Sequence, residues 1–259
     1  MPPRWNAAEV TLAEPAAARD LEQARALGIA VTSLRDPTAW QLVRSKGSLE
    51  LHGPAPEAIR LALDLRTGPM ARRLRSSRRD EPLPRAIGLA RRSAPLSVVD
   101  ATAGLCRDAM VLSRLGCEVE ALERIPALVM LVLDAIADSA LAARLRVVAT
   151  DAVPWLHGLL PEQQPAVVYL DPMFSESGSA QVKKDMQVCR ALAGPPDDPL
   201  PLFLAARRAA RERVVVKRHR DLAPIAEGVS FAVAGSRIRF DVYLAAPDLG
   251  RTVNETRAP

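Results

Sequence analysis

The chain has 259 residues, of which 49% are hydrophobic and 25% are charged, a composition typical of a soluble globular protein. No stretch approaches the roughly 18 consecutive apolar residues of a membrane-spanning helix, and the first residues lack the apolar core of a signal peptide. The three cysteines form no CxxC pair and the three histidines lie far apart, which argues against a disulfide framework or a metal site. We therefore expect a cytoplasmic protein with no metal and no membrane partner.

Residues 1–62 predict a small N-terminal α/β domain. Residues 8–15 fit a strand, and residues 16–28 fit a helix that stops at Gly28. Two alternating runs around Lys46 and Gly47, within residues 40–53, predict a β-hairpin. No catalytic constellation is evident in this part of the sequence.

Residues 63–93 form a basic connector. Between residues 66 and 92, nine arginines stand against Asp80 and Glu81, a local net charge of 9 − 2 = +7. Guanidinium groups match phosphate oxygens in pairs, so the segment indicates contact with a polyanion; the alternative is a solvated helix face. Lys183 and Lys184, later in the chain, could also contact phosphates or could lie on a solvated helix face. The candidate RNA-binding residues are Arg72, Arg73, Arg75, Arg78, Arg79, Lys183 and Lys184.

Residues 94–250 alternate strand, glycine-containing turn and helix, a pattern typical of a doubly wound parallel sheet, and residues 251–259 are a C-terminal tail. The predicted strands are 96–101, 117–123, 146–150, 166–171, 213–218, 230–235 and 238–245. Only Ser236 and Arg237 separate the last two strands, which predicts an antiparallel hairpin. Seven strands ending in a hairpin resemble the class I methyltransferases, which use S-adenosylmethionine (SAM).

Acidic residues follow the first three strands of this domain. Asp100 precedes a small-residue turn with Gly104, and a helix begins near Arg107; such a turn lets the backbone approach a cofactor, and helix-start N–H groups bind its carboxylate. Glu123 ends the second strand, where a carboxylate can accept ribose hydroxyls. Asp151 follows the third strand and can receive an adenine amino group. Each acid alone could be a solvated loop residue, but three at successive strand ends favour a nucleoside cofactor.

The fourth strand runs into a short polar motif, in the sequence VVYLDPMF at residues 167–174. The DPMF segment resembles the D/N-P-P-Y/F motif of amino-group methyltransferases. Asp171 and the carbonyl of Pro172 can accept the N–H bonds of an exocyclic amine and aim its lone pair, while Phe174 can stack on the base. These three residues are the predicted catalytic set.

Several strings together resemble the small-subunit (16S) ribosomal RNA methyltransferase J family over residues 62–245. They are DLRTGPMARRLR, VVDATAGLCRDAMVLSRLGCEVEALERIP, VVYLDPMF, VKKDMQV, RVVVKR and RFDVYLA. The resemblance implies SAM as cofactor, the N2 amine of a guanine as methyl acceptor, and small-subunit rRNA or the 30S subunit as partner. The SAM contacts that it implies are Arg107, Asp108, Glu123, Arg124, Asp151, Ala152 and Asp171.

The chain departs from the family pattern at a few positions. Cys106 stands where a turn glycine is expected, residues 76–79 read SSRR in place of a glycine-rich run, and Asp151–Ala152 replaces a small hydroxyl pair. Two other functions remain open: methylation of another amine such as adenine N6, and RNA binding by a SAM-type fold without catalysis. The intact LDPMF string argues against the non-catalytic alternative.

Overall fold

A computed structural model describes residues 9–56, 58–172, 184–194 and 197–245. Phe174 and Lys183, which the sequence analysis singled out, lie outside these ranges, and so does the side chain of Lys184. Within the described residues, no helix is both long enough and apolar enough to cross a bilayer.

The N-terminal domain is a five-stranded sheet with the strand order β2-β1-β3-β4-β5. Its elements are β1 (Val10–Ala13), α1 (Ala18–Ala26), β2 (Ala30–Thr32), β3 (Trp40–Ser45), β4 (Ser48–His52) and β5 (Arg60–Ala62). The predicted strand, helix and hairpin are present, and the hairpin turn has positive φ at both Lys46 (47°) and Gly47 (85°), the geometry of a type I′ turn. β2 and β5 were not predicted, because three residues are too few to show a period.

The basic segment after this domain is folded, and it packs on the larger domain. It contains α2 (Gly68–Ser76), α3 (Pro82–Ala86) and a 3₁₀ turn, Leu89–Arg91. Leu74, Leu83 and Ile87 are buried in the same apolar cluster as residues of the seven-stranded sheet. From its sequence the segment was predicted only as a basic connector, and its apolar face was not predicted.

The second sheet has seven strands in the order β11-β12-β10-β9-β6-β7-β8. The strands are β6 (Ser97–Asp100), β7 (Glu118–Glu123), β8 (Leu145–Ala149), β9 (Val167–Leu170), β10 (Arg213–His219), β11 (Phe231–Ala234) and β12 (Ile238–Leu244). β6 to β10 are parallel, whereas β12 is antiparallel and lies between β10 and β11. The predicted topology is confirmed, and every predicted strand end agrees to within one residue.

Helices cover both faces of this sheet. They are α4 (Arg107–Arg114), α5 (Pro126–Ile136), α6 (Ala152–His157), α7 (Lys184–Ala193) and α8 (Leu200–Ala209). α5 is apolar on nearly every side, because it is buried between two sheets. Its residues Leu128 and Leu131 belong to one buried cluster with Leu12, Leu42 and Leu51 of the N-terminal domain. The two sheets therefore share a core through α5.

An ion-pair cluster reinforces this contact. Asp134 on α5 pairs with Arg44 of β3 at 2.8 Å and with Arg19 of α1 at 2.7 Å. The other oxygen of Asp134 accepts a hydrogen bond from the backbone N–H of Leu49 at 2.8 Å. Arg44 also pairs with the buried Asp20. Because each charge has a partner, the cluster fixes the orientation of the small domain on α5.

Candidate active site

A cleft of about 880 Å³ lies at the carboxyl ends of β6 to β10, where open α/β sheets bind ligands. Every predicted cofactor residue lines it, together with Pro172. The set is Asp100, Gly104, Arg107, Asp108, Glu123, Arg124, Asp151, Ala152 and Asp171. Residues from four strand ends, spread over more than 70 positions of sequence, thus meet around one space large enough for a nucleoside cofactor.

The turn between β6 and α4 brings the backbone to the floor of this cleft. Asp100 is buried, and it accepts a hydrogen bond from the N–H of Thr102 at 3.2 Å. Gly104 has φ +52°, and a Cβ added there would meet no protein atom within 4 Å. The turn therefore leaves open space where a ligand can approach the backbone closely.

Cys106 occupies the last position of this turn, immediately before α4. It has φ +54°, so it keeps the left-handed conformation that a glycine would adopt more easily. For a residue with a Cβ this conformation costs about 1–2 kcal/mol. The Cys106 side chain is completely buried, and burial raises the pKa of its thiol well above the usual value. The substitution therefore preserves the turn and adds an unreactive apolar group beneath it.

Glu123, at the end of β7, joins this turn to the start of α5. Its Oε2 accepts from the N–H of Gly104 at 2.7 Å, and its Oε1 accepts from the N–H of Ile125 at 2.8 Å. Burial raises the pKa of Glu123, and the two N–H bonds oppose that shift. Both oxygens are held at fixed points of the cleft floor, and each keeps a second lone pair for a ligand hydroxyl.

Asp151 and Arg124 contribute two further charged groups to the cleft. Asp151 is the N-cap of α6, and its Oδ1 accepts from the N–H of Val153 at 2.7 Å. The cap uses one carboxylate oxygen and orients the other. Arg124 forms an ion pair with Asp197, a residue that precedes α8 and also lines the cleft.

Asp171 belongs to a network of charged groups at the end of β9. Lys217, on the neighbouring β10, donates to Oδ2 of Asp171 at 2.8 Å and to Oδ2 of Asp108 at 2.9 Å. The hydroxyl of Tyr169 donates to the same oxygen of Asp108 at 2.6 Å. The backbone N–H of Asp171 donates to the hydroxyl of Thr102 at 2.6 Å. Asp171 is therefore held by contacts on two sides.

Lys217 and Tyr169 were not among the functional residues predicted from the sequence. The signal for Lys217 was available, because a lysine directly after three buried valines is the same pattern that drew attention to Asp171. Tyr169 gave no such signal, since its hydroxyl contacts a helix 61 residues earlier in the chain. Only the packing of β9 beside β10 and beneath α4 brings these groups together.

The pKa values of the acidic groups reflect this enclosure. Burial, with Asp108 and Asp171 nearby, raises the pKa of Asp100 to about 8. Burial also raises the pKa of Asp171, and the Lys217 ammonium opposes that shift. For Lys217, burial alone would lower the pKa, but the two carboxylates outweigh it, so its pKa is raised and it stays charged. About 40% of the Asp171 side chain still faces the cleft.

The arginines of the basic segment lie outside the cleft. Arg72 and Arg75 are exposed on α2. Arg73 and Arg78 pair with the two acidic residues of the same segment, at 2.5 Å and 2.9 Å respectively. The Arg78 pair is solvent-exposed and the Arg73 pair is partly exposed, so both are weak and leave the guanidinium groups able to exchange partners.

Arg79 differs from the other four. Its guanidinium donates to the carbonyl of Arg92 at 2.8 Å and to that of Leu115 at 3.0 Å. Leu115 lies near the amino end of β7, and the cleft lies at its carboxyl end, roughly 17 Å away at about 3.3 Å per residue. Arg79 therefore links the basic segment to the end of α4 by hydrogen bonds, at a point away from the cleft.

No group of three or more His, Cys, Asp or Glu side chains in the described ranges has a metal-binding arrangement.

The fold and the cleft together define a class I SAM-dependent methyltransferase. The defining features are the antiparallel β12 between β10 and β11, the acids at three successive strand ends and the Asp–Pro tip of β9. Consistent with this class, the family model described as "Putative SAM-dependent methyltransferase" matches residues 24–245.

Individual relatives identify the family within this class. The ribosomal RNA small subunit methyltransferase J of Alkalilimnicola ehrlichii is 40% identical over 244 residues, which cover 89% of this chain and 91% of that protein. The protein of the same name from Chromohalobacter salexigens is 41% identical over 251 residues, 92% of this chain and 96% of the relative. This chain belongs to the ribosomal RNA small subunit methyltransferase J family.

A solved structure agrees with this assignment at the level of the fold. The crystal structure of a SAM-dependent methyltransferase from Neisseria gonorrhoeae superposes with a TM-score of 0.72 at 28% sequence identity. The match covers 94% of this chain and 100% of that one, so the N-terminal domain is included in the similarity.

Proposed function

We propose that this protein transfers the methyl group of SAM to the exocyclic N2 amine of a guanine in 16S small-subunit rRNA. One observation carries the proposal: the acids that end β6, β7 and β8 line the same cleft as the Asp171–Pro172 tip of β9. The three acids can accept hydrogen bonds from a nucleoside cofactor, and the Asp171–Pro172 tip can accept them from an amine. The family name of the curated relatives supports small-subunit rRNA as the source of that amine.

The residues of the cleft fit SAM. Glu123 is fixed by two backbone N–H groups and can accept the ribose hydroxyls, and Asp151 can accept from the adenine amino group. The Gly104 turn and the first N–H groups of α4 can bind the carboxylate of the amino-acid moiety. When bound, SAM supplies a methyl group made electrophilic by a positively charged sulfur.

The chain's own contribution to the acceptor is orientation. The lone pair of an exocyclic amine is delocalised into the purine ring, so the amine is a poor nucleophile. Asp171 and the carbonyl of Pro172 can accept hydrogen bonds from its two N–H groups and hold the amine so that its lone pair, which is perpendicular to the ring plane, points at the methyl group. The methylated amine becomes acidic and loses its proton late, so Asp171 acts as an acceptor of hydrogen bonds during transfer. We propose stacking on the base for Phe174, from the sequence alone.

The substrate's backbone requires positive charge outside the cleft. We propose that Arg72, Arg73, Arg75 and Arg78, together with Lys183 and Lys184, contact phosphates, and that the protein acts in the cytoplasm on rRNA or on the 30S subunit. A stacked guanine would have to be flipped out to reach Asp171. Arg79 is also exposed and is proposed to contact phosphates, with the N–H groups that its two bonds to backbone carbonyls leave available.

A direct experiment tests the proposal. The protein is incubated with labelled SAM and either naked 16S rRNA or 30S subunits from a strain lacking the corresponding gene, and the modified base is mapped by mass spectrometry. We expect N2-methylguanine at one position, and an initial rate of labelling at least about a hundredfold lower in the Asp171→Asn variant. Label on adenine N6 would establish the other amine as acceptor, and no transfer to either substrate would contradict the proposal.

A further inference from the structure

The strongest unassigned feature of the molecule is the Lys217 ammonium, which bridges carboxylates from two different elements. Asp108 comes from α4 and Asp171 from the end of β9, and both present Oδ2 to the same Nζ, at 2.9 Å and 2.8 Å. Lys217 itself follows three fully buried valines on β10. Only 24% of the Lys217 side chain is exposed, so most of its stem is packed and its charge is held at the bridge.

The bridge decides which oxygen of Asp171 faces the cleft. An ammonium that donates to Oδ2 fixes the rotation of the carboxylate, and the other oxygen, Oδ1, remains as acceptor for a ligand. The backbone N–H of Asp171, bonded to the hydroxyl of Thr102, fixes the main chain at the same point. The carboxylate therefore has one orientation before any substrate arrives, which is the condition for preorganised catalysis.

The groups that face Asp171 come from each neighbouring element. They are Asp100 on β6, Asp108 on α4, Tyr169 on β9 and Lys217 on β10. Because its pKa is raised to about 8, Asp100 carries a proton at pH 7, and Lys217 then neutralises the two carboxylates that it contacts, Asp108 and Asp171. Without that cation, like-charge repulsion and burial would favour a further proton on one of these two, and a protonated Asp171 could no longer accept from both lone-pair directions.

We propose that Lys217 is the positioning residue of the reaction, holding Asp171 ionised and aimed at the acceptor amine. This inference rests on the proposed function, because it assigns Asp171 the task of orienting that amine. Lys217 is not a base in this scheme, since its two carboxylate partners keep it protonated. It acts through Asp171 and does not touch the reacting atoms.

The kinetic test compares three variants under single-turnover conditions with saturating SAM and rRNA. Lys217→Met removes the charge, Lys217→Arg keeps it, and Lys46→Met makes the same change on the exposed hairpin turn of the N-terminal domain. We expect Lys217→Met to lower the rate at pH 7 at least about tenfold and to move the acid limb of the pH–rate profile upward by about one to three pH units. We expect Lys217→Arg to restore most of the rate, and Lys46→Met to match the parent.

A double-mutant cycle separates action through Asp171 from a general defect. In an Asp171→Asn background there is no carboxylate to ionise, so adding Lys217→Met should change the remaining rate by less than about twofold. An unmoved acid limb, or an equal loss of rate in both backgrounds, would overturn the proposal.

A second readout needs no RNA. Carbon-13 NMR of the carboxyl groups, with the Asp171 signal assigned by its loss in Asp171→Asn, follows the titration of Asp171 in the protein alone. We expect that titration to move to higher pH in Lys217→Met and to stay in place in Lys217→Arg. An unchanged titration in a Lys217→Met protein that is folded by circular dichroism would refute the coupling. If the parent methylates no guanine while the NMR shift is present, the proposed function fails and the Lys217–Asp171 coupling stands.

Discussion

Replacing Glu123 with alanine separates the cofactor assignment from the structural role of this residue. The substitution deletes an acceptor that, under the proposed function, binds ribose hydroxyls. It also removes the partner of two backbone N–H groups, those of Gly104 and Ile125, at 2.7 Å and 2.8 Å. The perturbation therefore acts on SAM affinity and on the stability of the β6–α4 turn.

The two effects have different sizes. Hydrogen bonds to a charged acceptor contribute about 1.5–3 kcal/mol, so losing the ribose contacts should weaken SAM binding by about one to two decades in Kd. The loss in the free energy of unfolding should be smaller than the combined contribution of the two N–H bonds to Glu123. One reason is that the deleted carboxylate no longer has to be buried, and another is that water can enter the cleft and bond to the two N–H groups. We expect a loss of about 1–3 kcal/mol in the free energy of unfolding.

Calorimetric titration with SAM measures the first effect, and urea unfolding measures the second. Glu123→Gln is the matched control, because it keeps one acceptor oxygen but presents an NH₂ group to the other N–H donor; its affinity should lie between those of the parent and Glu123→Ala. The assignment is refuted if Glu123→Ala is folded and binds SAM with parental affinity. In that case Glu123 would serve only to join the turn to α5.

Asp171→Asn should bind SAM and rRNA near normally yet slow methyl transfer at least about a hundredfold; transfer at the parental rate, with SAM saturating, would reduce the carboxylate to a structural role. A triple variant replaces Arg72, Arg73 and Arg75 with alanine. Its rRNA affinity should fall and depend less steeply on salt, with SAM affinity unchanged; an unaltered salt slope would identify α2 as a solvated face. Asp134→Ala should lower the free energy of unfolding by about 1–3 kcal/mol, because it leaves the N–H of Leu49 without its acceptor, while Arg44 keeps its bond to Asp20 and Arg19 stays exposed to water; no measurable loss in urea melts would contradict this. Asp100→Asn should reduce the fall in stability between pH 4 and pH 8: a carboxyl whose folded pKa is raised to about 8 contributes stability at low pH that is lost as pH rises, so an identical pH dependence in both proteins would count against it.

The sequence was sufficient to predict the seven-stranded sheet and the residues that lie at its strand ends. Buried parallel strands are continuous apolar runs bounded by turns, so their limits are visible in the sequence, and parallel strands bring their carboxyl ends to one edge. Asp100, Glu123 and Asp171 could therefore be predicted to meet. The network around them could not, because the bond between Lys217 and Asp108 spans 109 positions and depends on how α4 lies over β9 and β10.

The role of Arg79 was hidden for a related reason. Its acceptors are backbone carbonyls 13 and 36 positions away, and a carbonyl leaves no trace in the amino-acid sequence. Charge alone places all five arginines in one RNA-binding group, whereas the contacts separate one of them from the rest. The left-handed conformation of Cys106 was missed in the same way, since only the local path of the chain reveals that the turn keeps its shape.

The apolar cluster shared by the N-terminal domain with α5 and α7 makes that domain part of the cleft's scaffolding. Val188 and Leu192 of α7 are buried in this cluster, while Cys189 and Ala193 on the same helix line the cleft; Leu128 of α5 belongs to both. A helix that packs on one side and lines a cavity on the other transmits changes in its packing. Exchanging the N-terminal domain between relatives should therefore move the small sheet together with α5 and α7, since a catalytic fragment cut at residue 94 would keep these two helices but lose the sheet that packs behind them.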